Sequence, residues 1–187
     1  MSAMTKPALA DSLQKLMLTK PLDKITVSDI TEDCGVNRMT FYYHFKDIYD
    51  LLEWSWVREA EKALNGQKHY DDWQQGFRHI FGLAKENKTV IMNVYHSVSR
   101  EQVEIYLYKL TTDLLMGVIN ERQKTCGIQL KEEDKRFVAD FYKYAFVGLM
   151  LEWIRGGMKE EPDQIIKRLS VILQGTLEGC LERLACN

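Results

Sequence analysis

The 187-residue chain is 45% hydrophobic and 28% charged, with a formal net charge of −2. That balance excludes a disordered chain, which is poor in apolar residues, and offers no general basic surface for a polyanion. The most apolar run, Phe137 to Ile154, is interrupted by Asp140, Lys143 and Glu152, and no leader is recognisable, so the expectation is a cytoplasmic protein with no membrane partner.

Only three prolines and the lack of period-two alternation point to an all-α fold. Met1-Ser-Ala before Met4 reads as a start remnant and carries no fold argument. A first helix is expected from about Lys6 to Thr19, because Leu9, Leu13, Leu16 and Met17 follow the helical period, Pro7 suits a first turn and Pro21 blocks continuation. Thr26 to Lys46 then describes two short helices meeting across a tight turn, a helix-turn-helix. Thr26 caps the first, Asp29 is its capping-box partner, Gly35 ends it in a left-handed conformation, and Asn37 opens the second. Phe41 and Phe45 share one face of that second helix, leaving Arg38, Thr40, Tyr42, Tyr43 and His44 on other faces or at its end. Leu9, Leu13, Leu16, Ile25, Ile30, Val36, Phe41 and Phe45 form the expected core of this three-helix module.

Asp47 and Asp50 begin a fourth helix almost at once, with Leu51, Leu52, Val57, Ala60 and Leu64 along it and Asn65-Gly66 as its stop. Asp72 starts another amphipathic segment carrying Trp73, Phe77, Ile80, Phe81 and Ala84, closed by Asn87. Thr89 to Val98 is a short apolar segment, and Ser99 with Gln102 opens a long helix that ends near Cys126-Gly127. The helix from Lys131 to Arg155 is apolar on two sides, Phe137, Phe141, Tyr144 and Gly148 on one and Val138, Tyr142, Phe146, Leu149 and Trp153 on another, so it is expected to be sandwiched. Gly156-Gly157 ends it. Pro162 starts one last helix with the stripe Ile165, Leu169, Ile172, Leu173, Leu177, Cys180, Leu181 and Leu184. Gly148, Gly175 and Gly179 each cost about 1 kcal/mol of helix stability relative to alanine, which points to close helix approach; two such helices from each of two chains make a four-helix bundle.

Cys34, Cys126, Cys180 and Cys186 form no CxxC pair, which argues for reduced thiols and against a zinc site or disulfide framework; no metal or cofactor is expected. A nucleophile elbow, a phosphate-binding glycine loop and an HExxH pattern are all missing, so no catalytic residue is assigned and an enzyme is not expected. Lys6, Lys24, Arg38, His44 and Lys46 make the first module locally basic, opposed by Asp29, Glu32 and Asp33. Moderate, salt-sensitive binding of double-stranded DNA follows from such a patch.

Ile25-Thr-Val, Ile30, Cys34-Gly-Val-Asn and Thr40-Phe-Tyr-Tyr-His-Phe-Lys46 together resemble the DNA-binding signature of the TetR family of bacterial transcriptional regulators. The chain departs from the usual pattern at Thr31 and Cys34, where small alanines are common; both replacements remain small, so the helix packing should survive. The resemblance implies an N-terminal DNA-binding domain, 1–46, and a C-terminal helical effector-binding and dimerisation domain, 47–187. It implies phosphate contacts from Thr26, Ser28, Tyr42, Tyr43, His44 and Lys46, and base reading by Asn37, Arg38, Met39 and Thr40. The physics agrees: an arginine forks onto guanine, and threonine or methionine touches a thymine methyl. A homodimer would place two such helices ~34–36 Å apart on a near-palindromic operator. Leu51-Leu52, Trp54, Trp73, Glu86-Asn87 and Trp153-Ile-Arg-Gly156 are also similar to a branch of activators of dihydroxyacetone kinase operons, which act with a co-regulator protein.

A small-molecule effector is the other way to control such a regulator. Tyr95, His96, Tyr106, Tyr108, Phe141, Tyr144 and Trp153 are candidates for lining its cavity, since helical bundles build sites from facing side chains, and are equally readable as core. His96 with Arg100 would fix an anionic group or form a surface pair. The rival function is a helical protein-interaction module that lacks DNA binding and an effector pocket of its own.

Overall fold

Both helices of the helix-turn-helix begin where a side chain caps their first backbone amides. The computed structural model describes residues 5–64 and 73–185. Among them are α1 (Thr5–Met17), a 3-10 turn (Leu22–Lys24), α2 (Val27–Asp33), α3 (Arg38–His44), α4 (Ile48–Leu64), α5 (Trp73–Glu86), α6 (Lys88–Ser97), α7 (Arg100–Cys126), α8 (Glu132–Arg155), α9 (Pro162–Leu173) and α10 (Thr176–Ala185), with no strand. Met1-Ser-Ala, the stop at Asn65-Gly66, the start at Asp72 and Cys186 lie outside the described residues.

The turn between α2 and α3 shows how closely backbone need and residue type correspond. Thr26 accepts from the Asp29 amide at 3.1 Å while the Asp29 carboxylate accepts from the Thr26 amide at 2.6 Å, completing the capping box. At the other end Gly35 has φ +69°, its amide donates to Glu32 O at 3.4 Å, and the Val36 amide donates to Thr31 O at 2.9 Å. Those two bonds satisfy carbonyls that the helix end leaves free, in the Schellman arrangement. Asp47 caps α4 in the expected way, accepting from the Asp50 amide at 2.9 Å, and the Asp50 carboxylate accepts from the Lys46 amide at 2.8 Å.

The chain packs as two compact units, one of Met1–Leu64 with Asn87–Arg100 and one of Asn65–Glu86 with Glu101–Asn187. In the first unit Leu9, Leu13, Ile25, Ile30, Phe41 and Phe45 form the expected core, with Leu16 and Val36 half-buried against it. The same core takes Leu51 and Leu52 from α4 and Val90 and Val94 from α6, so both helices belong to it by packing. Ser12, buried on α1, donates to Ile30 O at 3.1 Å and ties α1 to α2.

In the second unit aromatic contacts join α5 and α8. Phe77 stacks on Phe146 at 3.7 Å, Trp73 meets Phe146 at 5.4 Å, and Phe81 meets Trp153 at 5.1 Å. Gly76 leaves room for Leu114 of α7: a Cβ there would lie 2.5 Å from Leu114 Cδ1. Two expectations are corrected here. The last helix is not continuous, because Gly175 adopts φ +68° and splits it into α9 and α10, a conformation that costs a glycine little. The break rephases the stripe: Leu169, Leu177 and Leu181 are buried whereas Ile172 is exposed. Nor is α8 sandwiched among the described residues, since Val138, Tyr142, Phe146 and Trp153 are buried while Phe137, Phe141, Tyr144 and also Leu149 are exposed. A Cβ added to Gly148, on that open side, would meet nothing within 4 Å among the described residues, so none of them makes a close helix approach at this glycine.

Candidate nucleic-acid interface

Helix α3 is seven residues long and anchored from one side only. Phe41 is fully buried and Phe45, just past its end, is nearly so; their rings lie 6.0 Å apart, and Phe45 meets Trp54 of α4 at 5.7 Å. Lys6 of α1 sits over both Phe45 and Trp54, at 5.4 and 5.8 Å, so this member of the basic group is engaged with aromatic faces. With the inward face fixed, Asn37, Arg38, Met39, Tyr42, Tyr43 and Lys46 are exposed, Met39 at 77% and Tyr43 at 82%. Thr40 and His44 are half-buried, and His44 packs against Tyr43 at 4.9 Å.

Hydrogen bonding divides these side chains further. Asn37 Oδ1 accepts from the Thr40 amide at 2.8 Å and from its hydroxyl at 3.0 Å, so the carbonyl end of Asn37 and the hydroxyl hydrogen of Thr40 are committed to the helix start. The Asn37 NH2 and the Thr40 methyl carry no part of that cap. Thr26 is still more committed: its hydroxyl accepts from the Asp29 amide and donates to the Asp29 carboxylate at 2.8 Å. A hydroxyl has one hydrogen, and a phosphate oxygen needs a donor, so Thr26 reaches a phosphate only by giving up its cap. Ser28 is half-buried in the first turn of α2.

Charge is sorted the same way. Asp29 pairs with Lys20 at 2.7 Å and Asp33 pairs with Lys15, so two of the opposing acids are neutralised by lysines of α1 and the turn that follows it. The Lys20 ammonium and the hydrogen bonds from Thr26 hold the Asp29 carboxyl down at about 2, and Lys15 lowers Asp33. Lys24 pairs with Asp23 at 3.2 Å, and Arg58 pairs with Asp11 and Glu59 at 2.6 and 3.1 Å. Arg38, His44 and Lys46 take part in none of these ion pairs among the described residues. Lys15 and Lys20 escaped the sequence reading, although their place beside α2 gives them this role.

Residues 10–53 match the family described as bacterial regulatory proteins, tetR family, and residues 71–175, more than half of the chain, match the transcriptional regulator C-terminal region. The chain belongs to the TetR family of transcriptional regulators. The HTH-type dhaKLM operon transcriptional activator DhaS of Lactococcus lactis subsp. lactis (strain IL1403) is 24% identical over 161 residues, 86% of this chain and 85% of that protein. A solved structure of the dihydroxyacetone kinase operon activator DhaS has a TM-score of 0.72 at 21% identity, covering 94% of this chain and 97% of the other. The TetR family repressor AlkX from Dietzia sp. strain DQ12-45-1b has a TM-score of 0.60 at 16% identity, covering 93% and 95%. The sequence resemblance thus holds for the family and includes a dihydroxyacetone kinase operon activator among the relatives; the structural likenesses are ones of fold.

TetR-family membership accommodates the two departures from the usual pattern. Thr31 is buried, and its hydroxyl donates to Val27 O at 2.9 Å, so the extra polar atom is satisfied within its own helix. Cys34 is half-buried, and burial pushes its thiol up from the ordinary value, away from the reactive thiolate.

The seven aromatic and histidine candidates for an effector cavity are divided between the two units. Tyr95 and His96 are on α6 in the first unit, His96 exposed. The other five are on α7 and α8 in the second unit. Trp153 is buried against Phe81, and its indole nitrogen donates to Glu160 O at 2.9 Å, so its one donor is used. Phe141 and Tyr144 lie on the exposed side of α8, which is where the helical period puts them once Val138, Tyr142 and Phe146 face the core. Tyr108 meets Tyr144 at 5.4 Å, with the Lys143 ammonium over both rings at 5.3 and 4.7 Å. Tyr106 is half-buried, and burial raises its phenol.

Among the described residues no helix is long and apolar enough to cross a membrane.

Proposed function

We propose that this regulator acts as a homodimer on a near-palindromic operator, with α3 as the reading helix. The observation that carries the proposal is the division of α3: Phe41 and Phe45 anchor it, while Arg38, Met39, Tyr42, Tyr43 and Lys46 remain in solvent with their functional groups uncommitted to caps or the ion pairs described above. Asn37, Arg38, Met39 and Thr40 read base edges, the threonine through its methyl and the asparagine through its NH2. Tyr42, Tyr43, His44 and Lys46 grip phosphates; Ser28 joins them, and Thr26 serves through its cap, as the support that sets α2.

The dimer rests on the open side of the second unit. Phe137, Phe141, Tyr144 and Leu149 of α8 and Val171 and Ile172 of α9 are exposed apolar side chains, and Gly148 among them admits a helix at close range. A second copy covering this face builds the four-helix contact and sets the spacing between the two copies of α3. An effector or co-regulator protein acting on the second unit then needs a coupling of only about 1–3 kcal/mol to switch occupancy. The chain needs no catalysis and no cofactor or metal for this role, which it performs in the cytoplasm, where DNA is reached.

The test is selection from a randomised duplex pool by the purified chain. Enrichment of two inverted half-sites about one helical turn apart is expected. A pool that stays random after repeated rounds sinks the proposal.

A further inference from the structure

One asparagine outside the helix-turn-helix holds its backbone. Asn93, in the middle of α6, donates through Nδ2 to Met17 O and to Lys20 O, both at 2.8 Å, and accepts through Oδ1 from the Leu22 amide at 2.8 Å. Ser97, one turn on, donates to the same Oδ1 at 3.3 Å. An asparagine has two amide hydrogens and two carbonyl lone pairs, so every bonding site of Asn93 is filled. The orientation of the amide is forced, because turning it over would set its oxygen against two carbonyls. The three backbone groups span the place where α1 ends and passes through Pro21 into the 3-10 turn, and such end groups have no partner in the helix itself.

That joint leads directly to the reading module. The Lys20 ammonium pairs with Asp29, and Asp29 completes the cap of α2 through Thr26. Movement of the Met17–Leu22 backbone therefore moves the ion pair that fixes the start of α2. In sequence α6 lies between α5 and α7, both of which pack in the second unit, whereas α6 packs in the first with Val90 and Val94 in its core.

We infer that Asn93 is a positioning residue for operator binding: its clamp on Met17, Lys20 and Leu22 holds the α1–α2 joint in the geometry that presents α3. Without the clamp the joint gains conformations that must be given up on binding, so affinity falls although no group that touches DNA has changed. The inference rests on the DNA-reading role proposed for α3.

Operator duplex selected by the wild-type chain supplies the probe. Its equilibrium binding is measured across a salt series for the wild type, Asn93→Ala, Asn93→Asp, Ser97→Ala and Arg38→Ala, with Leu22 amide exchange and helical circular dichroism on the same samples. A helical Asn93→Ala should exchange faster at Leu22 and bind about tenfold more weakly, or worse, with an unchanged salt slope because no phosphate contact is lost. Asn93→Asp keeps the volume and the acceptor for Leu22 but turns a carboxylate toward two carbonyls. It should bind at least as weakly as the alanine variant with better protection at Leu22, and it carries the test if the alanine variant loses its helices. Ser97→Ala should stay within about twofold of the wild type. Folded Asn93 variants that bind like the wild type, or that flatten the salt slope, overturn the inference. Should Arg38→Ala leave binding untouched while Asn93→Ala weakens it, Arg38 loses its reading role and the clamp stands; the opposite pattern removes the clamp alone. A wild-type chain that selects no duplex removes both.

Discussion

Helices α3 and α8 both keep aromatic side chains in water, in opposite electrostatic settings. On α3, Tyr42 and Tyr43 carry hydroxyl tips and stand beside Arg38 and Lys46, which are absent from the ion pairs among the described residues. On α8, Phe137 and Phe141 carry no polar atom, and nearby charges are closed within the helix by pairs such as Lys143 with Asp140 and Arg155 with Glu152, both at 2.5 Å. The first surface suits a polyanion, where amphipathic rings and uncommitted cations gain by contact. The second suits another apolar surface, because exposed hydrocarbon on this scale gains only by leaving water. Exposure alone is therefore ambiguous; the charges around the ring decide what it waits for.

The comparison breaks most forcefully if α3 is loosened from its own core. Phe41→Ala removes the fully buried anchor of α3 and should cost about 3–5 kcal/mol in chemical denaturation. A cost under ~1 kcal/mol would mean that α3 is held by something other than its inward face. Phe141→Asp attacks the other helix and should weaken the dimer by about 2 kcal/mol or more, some thirtyfold, read by sedimentation across concentrations. A dimer constant that does not move leaves the α8 surface without the role proposed for it.

The cations of α3 sharpen the contrast. Arg38→Ala should cost about 1–3 kcal/mol on the selected duplex and relax the preference at one base position. Lys46→Ala should weaken binding on all duplexes alike and reduce the salt slope by about one. Equal loss on every sequence from Arg38→Ala would return that residue to the phosphate group.

Legibility followed the range of the interactions. The cap at Thr26, the turn at Gly35, the opening at Asn37 and the burial of Phe41 and Phe45 depend on residues within a few positions of each other, and all could be read from spacing. The place of α6 could not, because Asn93 reaches residues more than seventy positions away and looks locally like one polar residue in an apolar segment. The split at Gly175 was hidden by an apolar stripe that continues through it in sequence although the backbone does not. On α8 the two apolar faces were visible, but their partners were not: the sequence pattern is the same whether a face is covered by its own chain or left open. The cavity candidates were ambiguous in sequence for a similar reason, since aromatic residues on neighbouring turns are compatible with core, open face and site alike.

The smallest expected effect concerns the acids that Lys15 and Lys20 neutralise. The Asp29 carboxyl is held at about 2 against an ordinary 3.8, first by the hydrogen bond from Lys20 and then by those from Thr26. A carboxyl whose folded value lies below its unfolded one favours folding in its charged form. Its contribution is fully present above about pH 4 and is lost as the pH falls toward 2. Asp29→Asn should therefore begin less stable at neutral pH and lose stability less steeply through that acid window, measured as denaturation midpoints at stepped pH. The same variant leaves Lys20 without its acid beside α2, so its affinity for arbitrary duplex should rise slightly at low salt and converge with the wild type as salt screens the added charge. Parallel pH profiles with unchanged duplex affinity would show that Lys20 does not set the charge of the reading module, and would return the contrast between α3 and α8 to Arg38 and Lys46 alone.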